Sequence, residues 1–200
     1  MNRSGENNEP TSVFALLAGA RYASEQSEHA ISHATPRRTA EPLTVIASLD
    51  EARAAVDTAA ASAKRMISIY TPDLEPELYD QSSFLEIIKR FVLSRSFSKV
   101  RVLLVDPGRV MRDSNRFVAM GRRLSSYIDI RYVAEQAPQR ASAYLIADDR
   151  AIVYRLRADT WDGIADFNNP PVARLYLNEF DAVWNASAPE HALRSVRTRG

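Results

Sequence analysis

Residues 141–155 read Ala-Ser-Ala-Tyr-Leu-Ile-Ala-Asp-Asp-Arg-Ala-Ile-Val-Tyr-Arg, and this stretch decides how we assign the fold. Two short apolar runs, Ala143–Ala147 and Ala151–Arg155, lie on either side of the polar turn Asp148-Asp149-Arg150. Short apolar runs separated by a few polar residues are typical of a β-hairpin. The sequence therefore predicts two antiparallel strands here, followed by a solvated loop over residues 158–171 with Trp161 on the surface.

Upstream of this hairpin, segments with helical and strand periodicity alternate. Ser48-Leu-Asp-Glu51 has the spacing of a capping box and opens an Ala-rich helix. Alternating strands and helices predict an α/β fold with a mostly parallel mixed sheet that is flanked by helices on both faces. The predicted segments are helices over 48–65, 83–97, 109–125 and 171–184, and strands over 67–70, 100–105 and 128–133.

The composition is that of a soluble globular chain with one domain. Of the 200 residues, 46% are apolar and 26% are charged, the net charge is +1, and cysteine is absent. The absence of cysteine excludes disulfides, thiolate metal sites and cysteine nucleophiles. We predict a flexible N-terminal extension over 1–42, a domain over 43–190 and a C-terminal tail over 191–200. Glu6 and Glu9 precede the short apolar segment 13–20 and are atypical of a secretory signal, so we expect a cytoplasmic protein.

Four stretches carry a family resemblance. They are Ile69-Tyr-Thr-Pro-Asp-Leu-Glu-Pro-Glu-Leu-Tyr-Asp80, Val102-Leu-Leu-Val-Asp-Pro107, Leu145-Ile-Ala-Asp-Asp-Arg150 and the ending Phe180-Asp-Ala-Val-Trp184. With them, residues 48–190 resemble one half of the phospholipase D superfamily, and more closely a group of uncharacterised bacterial domains on that fold. Domains of that group are found beside or fused to acetyltransferases of the GNAT type, so the resemblance implies such a partner. Because single-half members often pair about a two-fold axis, it also implies a homodimer.

The resemblance further implies a missing active site. Active members carry His-x-Lys-x-x-x-x-Asp on the strand that leads into the hairpin, where the His attacks phosphorus and the Lys neutralises phosphate oxygens. Aligning the Asp on Asp148 puts Ala141 at the His and Ala143 at the Lys, and a shift by one residue gives Ser142 and Tyr144. The family's Gly-Ser-x-Asn stretch is also absent, near residues 154–156. We therefore expect no phosphodiesterase activity, and the sequence predicts no metal or cofactor.

Two segments could bind a ligand. Arg109, Arg112, Arg116 and Arg123 fall on one face of the predicted third helix, either as an anion-binding stripe or as an ordinary solvated face. The loop 71–80 follows the first strand, where open α/β sheets bind ligands, although it could equally be a proline-stiffened connection. The polar groups that this second segment offers are Tyr70, Asp73, Glu75 and Tyr79.

Two hypotheses about function follow. The first is a non-catalytic domain that acts as a binding, regulatory or accessory module, with an unknown ligand or protein partner. The second keeps the fold but binds nucleic acid or another polyanion through the arginine stripe, without cleavage. Neither requires a membrane, because no apolar run approaches the length of a span.

Overall fold

The computed structural model describes residues 43–112, 115–134 and 141–189. The predicted extension over 1–42 and the predicted tail over 191–200 lie outside the described residues. The strands are β1 Thr44–Ile46, β2 Met66–Thr71, β3 Lys99–Leu104, β4 Ile128–Tyr132, β5 Ala143–Ala147, β6 Ala151–Arg155, β7 Gly163–Asp166 and β8 Ala188–Pro189. The helices are α1 Leu49–Ser62, α2 Pro76–Tyr79, α3 Ser82–Ser94, α4 Pro107–Arg112, α5 Arg116–Arg123 and α6 Pro170–Ala186.

The described strands form one mixed sheet in the order β1-β7-β6-β5-β2-β3-β4-β8. β2, β3 and β4 are parallel, whereas the other ladders are antiparallel. The predicted mixed α/β sheet is confirmed, and so is the hairpin, in which Ala143 pairs with Arg155 and Ala147 with Ala151. The antiparallel part of the sheet is larger than the sequence predicted. Strands β1, β7 and β8 were not predicted, and each of them adds an antiparallel ladder.

Helix α1 shows why the first predicted helix forms where it does. The Ser48 hydroxyl accepts a hydrogen bond from the Glu51 N–H (3.3 Å), and the Glu51 carboxylate accepts one from the Ala47 N–H (2.8 Å). These bonds satisfy main-chain donors that the first helical turn leaves open. Small buried side chains such as Ala52 and Ala59 then let the helix approach β5 and β6 closely.

The predicted third helix is two helices, which corrects the expectation of one helix over 109–125. Helix α4 ends at Arg112, and a new helix, α5, begins at Arg116. The Asn115 side chain caps α5 by accepting a hydrogen bond from the Val118 N–H (3.1 Å). An Asn that caps a helix has extended backbone angles, which interrupt the preceding helical geometry. The helical periodicity of the arginines therefore does not place them on one continuous helix.

The two faces of the sheet have different covers. Side chains alternate along each strand, so Ile69, Val102 and Val153 point to the core that α1, α3 and α5 complete. The opposite face is packed against α6, where Tyr176 lies between the rings of Tyr144 (5.5 Å) and Tyr154 (5.0 Å). Helices on both faces, as predicted, leave the central strands buried on both sides.

The closing Phe-Asp-x-Val-Trp stretch anchors α6 to the sheet. The guanidinium of Arg101 on β3 lies over the rings of Phe180 (4.9 Å) and Trp184 (5.4 Å) and pairs with Asp181 at 2.7 Å. The guanidinium of Arg131 on β4 also lies over Trp184, 4.2 Å from the ring centroid. The Phe-Asp-x-Val-Trp stretch therefore holds α6 against β3 and β4.

Strand β7 occupies part of the predicted solvated loop, which is a second correction. Gly163–Asp166 is buried throughout and pairs with both β1 and β6. Trp161 is only partly exposed, because it packs beside the guanidinium of Arg155 (5.1 Å to the ring centroid). The sequence did not predict this strand, because Asp162 precedes it, Asp166 ends it and only two apolar residues lie between Gly163 and Asp166.

Gly163 allows β7 to lie directly against β6, so we expect Gly163→Ala to destabilise the fold. A Cβ atom here would lie 2.5 Å from the Tyr154 carbonyl oxygen and 2.8 Å from the Cγ of Arg155. Overpacking of this kind costs about 1–3 kcal/mol in the free energy of unfolding, which urea denaturation would measure. Gly121→Ala is the matched control, because its Cβ would meet only side-chain methyl groups at 3.3 Å and alanine favours a helix. Equal losses from the two variants would contradict this reason for the glycine.

No helix within the described ranges has the length and apolar character that would be needed to span a bilayer.

Candidate functional site

A cleft of about 780 Å³ opens at the carboxyl ends of β2, β3 and β6. Its walls come from the loop after β2, from α4 and from the segment after β6, and Ala141 enters from the start of β5. In open α/β sheets this edge is where ligands bind. The residues that line the cleft are Pro72, Asp73, Glu75, Glu77, Arg109, Ala141, Arg157, Ala158, Asp159 and Trp161.

Glu75, which lines the cleft, forms a buried ion pair with Arg155. The Arg155 guanidinium donates to the Glu75 carboxylate, and both residues are at most 5% exposed. Arg155 also donates to the carbonyl oxygens of Ala158 (3.0 Å) and Thr160 (2.8 Å). One guanidinium therefore joins the loop after β2 to the segment after β6.

The turn that carries Glu75 is built around Thr71. The Thr71 hydroxyl donates to the Glu75 carboxylate (2.9 Å) and accepts from the Leu74 N–H (3.1 Å). Leu74 is fully buried and has φ of 56°, a left-handed conformation that costs a non-glycine residue energy. The surrounding contacts hold this strained turn in place, so the position of Glu75 is tightly determined.

Burial dominates the ionisation of this region. It raises the pKa of Glu75 above its usual value, although the nearby Arg155 and the Thr71 hydroxyl both lower it. Burial also raises the pKa of Tyr79, with a smaller contribution from the Glu75 charge, so the phenol stays neutral. A raised carboxyl pKa means that the folded chain holds the proton more tightly than the unfolded chain does. The contribution of Glu75 to stability therefore falls as the pH rises above 4.5, the ordinary pKa of glutamate.

The remaining charges of the cleft are also paired within it. Arg109 donates to Asp73 (2.9 Å) and lies 3.5 Å from Glu77, and Arg157 donates to Asp159. Four carboxylates and three guanidinium groups thus meet at one edge of the sheet. The two predicted ligand segments face each other here, since the acids of the loop neutralise an arginine of the stripe.

Two predicted ligand residues lie away from this cleft. Tyr70 is 1% exposed on the face that packs against α6, where its ring stacks on Tyr144 at 5.2 Å. Tyr79 is 1% exposed in the core, with its ring edge on Phe84 at 5.3 Å. Both tyrosines serve packing, which corrects their proposed ligand role. Asp73 and Glu75, in contrast, do line the cleft.

The arginines of the predicted stripe are divided between α4 and α5. Arg109 belongs to the cleft, whereas Arg116 donates to the Asp80 carboxylate (2.8 Å) and to the Ser82 hydroxyl (3.2 Å). Arg123 is exposed near the end of α5, and the Arg112 side chain lies outside the described residues. The expectation that the four arginines lie on one helix is therefore wrong, because α4 and α5 are separate helices, and anion binding by these arginines stays a prediction.

The degenerate motif positions divide between the two edges of the sheet. Ala141 lines the cleft and Ala143 is buried at the start of β5. Asp148 lies at the other end of this strand, roughly 20 Å away by strand rise. Its carboxylate accepts hydrogen bonds from the N–H groups of Lys64 (2.9 Å), Arg65 (2.8 Å) and Met66 (2.9 Å). In this chain the acid of the motif holds the entry to β2 and lies far from the cleft.

Sequence reasoning missed Arg157 and Trp161 as cleft residues, and it missed Arg155 as the buried partner of Glu75. Arg155 ends an apolar strand, and a lone arginine at the end of a strand is usually a solvated side chain. One signal was present, because the position falls where the resemblance places the phosphate-binding Gly-Ser-x-Asn stretch. Among the described residues no group of three or more His, Asp or Glu side chains is arranged to hold a metal ion.

Comparison with known protein families identifies the family to which the chain belongs. Residues 48–196 match the family described as Domain of unknown function (DUF7931). The chain belongs to this family. The DUF7931 match spans α1 to α6 and so includes every wall of the cleft. Among proteins with curated functions, none matches this chain in sequence.

Solved structures show which fold this DUF7931 chain shares. The archaeal chromatin protein TrmBL2 aligns with a TM-score of 0.56 and 15% identity, over 89% of this chain and 66% of TrmBL2. Nuc, a phospholipase D family member from Salmonella typhimurium, aligns with a TM-score of 0.53 and 19% identity, over 74% of this chain and 97% of Nuc. DUF7931 therefore has a phospholipase D-like fold in this chain.

Proposed function

We propose that this DUF7931 domain is a non-catalytic phospholipase D-like module that binds a partner in the cleft. The observation that carries the proposal is Ala141 in the wall of the cleft, which Glu75 of the buried Glu75–Arg155 pair also lines. A methyl group cannot attack phosphorus. The cleft side chains that could meet a phosphate are already paired with carboxylates, and neither histidine nor cysteine is among the described residues that line the cleft, which supports a non-catalytic role.

The charge of the cleft favours a polypeptide over a polyanion. Asp73, Glu75, Glu77 and Asp159 outnumber the three arginines, so a phosphate chain would meet a slight negative excess. A peptide segment with both signs of charge could exchange ion pairs with Arg109 and Arg157, whose side chains are 39% and 63% exposed. Trp161 adds an aromatic surface at the same place. These features support the binding-module hypothesis.

A protein partner, including an acetyltransferase, and a homodimer remain predictions of the family resemblance. Nucleic-acid binding through Arg109, Arg112, Arg116 and Arg123 stays a prediction, and we favour it less because Arg109 and Arg116 already pair with carboxylates. TrmBL2 is a chromatin protein with its own mode of DNA binding. At 15% identity the likeness concerns the fold alone, so it does not supply a nucleic-acid site for this cleft.

Hydrolysis of bis(p-nitrophenyl) phosphate by the purified full chain tests the non-catalytic part. We expect no turnover above that of buffer, at pH values from 5 to 9 and with or without added Mg²⁺. Ala141→His serves as the comparison, because one restored imidazole without the lysine and phosphate-binding groups should also give no turnover. Hydrolysis by the wild-type chain that is lost in Arg109→Gln would place catalysis in the cleft and overturn the proposal.

Fluorescence of Trp161 tests binding. The chain has two tryptophans, so Trp184→Phe leaves Trp161 as the sole indole reporter. We expect inorganic phosphate at 10 mM to leave its emission unchanged, whereas peptides of mixed charge drawn from an unbiased library should include ones that shift it. Saturable quenching by phosphate that Arg109→Gln removes would show an anion site instead and contradict the proposed preference.

A further inference from the structure

The edge of the sheet opposite the cleft carries a concentration of positive charge. Five cationic side chains are exposed there, at the carboxyl ends of α1 and α3 and at the start of β3. We call this group the amino-edge surface, because the parallel strands begin beside it. Its members are Lys64, Arg65, Arg90, Arg95 and Lys99.

Contacts between the members show that the amino-edge surface is continuous. Arg95 donates to the Lys64 carbonyl oxygen (3.1 Å), and Lys64, Arg90 and Arg95 line one shallow groove between α1 and α3. At the start of β3, the Lys99 main-chain N–H donates to the Arg65 carbonyl oxygen (3.0 Å). The Lys99 ammonium group extends towards the start of β4, where it donates to the Ser126 carbonyl oxygen and lies 5.6 Å from the centroid of the Tyr127 ring. The cations therefore form a row from α3 across the starts of β2 and β3.

Acidic residues do little to neutralise this row. Glu86 lies 3.6 Å from Arg90 and is half exposed, so water weakens that pair. Asp148 brings one negative charge to this edge, and its carboxylate accepts hydrogen bonds from three main-chain N–H groups at the start of β2. Within the described part of the chain, no carboxylate pairs with the side chains of Lys64, Arg65 or Arg95. The surface keeps a positive excess, although the whole chain has a net charge of only +1.

An exposed aromatic ring lies within the same surface. Phe97 is 56% exposed, and the Arg95 guanidinium lies over its ring at 5.9 Å from the centroid. Leu93, which is 60% exposed, precedes them on α3. Cations in a row with an accessible aromatic ring are the elements with which proteins bind single-stranded nucleic acid, since the cations follow the phosphates and a base stacks on the ring.

We propose that the amino-edge surface binds single-stranded nucleic acid without sequence preference. The ligand backbone would follow the row from Arg90 to Lys99, with one base stacked on Phe97. This site is separate from the cleft at the other edge of the sheet, so it stands whether or not the cleft binds a polypeptide. It also differs from the arginine stripe, because none of its five cations belongs to that stripe.

Fluorescence anisotropy with a labelled twelve-nucleotide oligo(dT) tests the site, using the full chain at 25 to 200 mM NaCl. If about four phosphates are contacted, the slope of log affinity against log salt should be about −3, since each contact to a single strand contributes about −0.7. Lys64→Gln with Arg95→Gln should reduce the slope by about 1.4. The control pair Arg53→Gln with Arg116→Gln removes the same charge at the opposite edge of the sheet, where these side chains contact Glu77 and Asp80, and should change the affinity less than twofold.

Phe97→Ala separates stacking from charge. We expect roughly tenfold weaker binding to oligo(dT), which corresponds to the usual strength of one base–aromatic stack, with an unchanged salt slope. Thermal melting of each variant would show that the fold is retained. No binding at 25 mM NaCl, or equal losses in the control pair, would overturn the proposal. Binding to vesicles of anionic phospholipid that depends on Phe97, without binding to oligo(dT), would assign the surface to membranes and also overturn it.

Discussion

We expect Arg155→Met to lower the free energy of unfolding by about 3–5 kcal/mol at pH 7, because it leaves the Glu75 carboxylate buried without its cation. The methionine keeps most of the side-chain volume, so the loss reports charge more than packing. Urea denaturation at several pH values would measure it. The loss should be smaller at pH 5, because more of the buried Glu75 side chain is then protonated and uncharged.

Removal of Arg155 takes away the charge that lowers the pKa of Glu75, so burial raises this pKa further. A raised folded-state pKa favours the fold at low pH and destabilises it progressively as the pH rises above 4.5. Adding Glu75→Gln to Arg155→Met should therefore recover at least half of the stability at pH 7 and remove the extra pH dependence. Arg157→Met is the control, since its exposed pair with Asp159 should cost no more than about 0.5 kcal/mol. A double variant as unstable as the single one at pH 7 would show that the buried charge is not the cause.

We expect Asp148→Ala to lower the free energy of unfolding by about 3 kcal/mol. The variant leaves the N–H groups of Lys64, Arg65 and Met66 without their acceptor, and bonds to a charged group contribute about 1.5–3 kcal/mol each before exposure to water reduces them. Asp148 also has φ of 55°, which alanine adopts less readily than aspartate or asparagine. Chemical denaturation would measure the effect.

Two variants resolve the causes of this loss. Asp148→Asn keeps the backbone preference and one acceptor oxygen, so it should lose about half as much as alanine. Asp149→Ala, next in the same turn, removes only an exposed pair with Arg174 and should change stability by less than about 0.5 kcal/mol. If Asp148→Ala proved as mild as Asp149→Ala, the assignment of Asp148 as the acid that holds the entry to β2 would fail.

Local sequence patterns predicted most of the elements. The hairpin, α1, α3 and the parallel strands have clear periodicity and recognisable ends, and these are the elements the structure confirms. β1 and β7 were not predicted, because they are three and four residues long and are too short to show an alternating pattern. The break between α4 and α5 was not predicted, because the sequence alone does not show that Asn115 caps a new helix.

The candidate site was predictable only in its position. The rule that ligands bind beyond the carboxyl ends of strands placed Asp73 and Glu75 correctly at that edge. The partner of Glu75 is Arg155, which lies eighty residues further along the chain, and no local pattern connects the two. The sequence did not show that Tyr70 and Tyr79 are buried and cannot reach a ligand in the cleft. Their burial depends on which helices cover each face of the sheet.

Within the described residues, cations concentrate at one edge of the sheet and acids slightly outnumber arginines in the cleft at the other, which gives this part of the chain an electric dipole along its strands. Near a strongly negative polymer, this dipole turns the protein so that Lys64 and its neighbours approach first, and the acidic excess at the opposite edge is directed outward. The cleft beside Trp161 then remains open to the solvent. If both proposed sites bind their ligands, such an orientation would make this domain an adaptor, with one end held on a charged surface and the other presented to a second molecule.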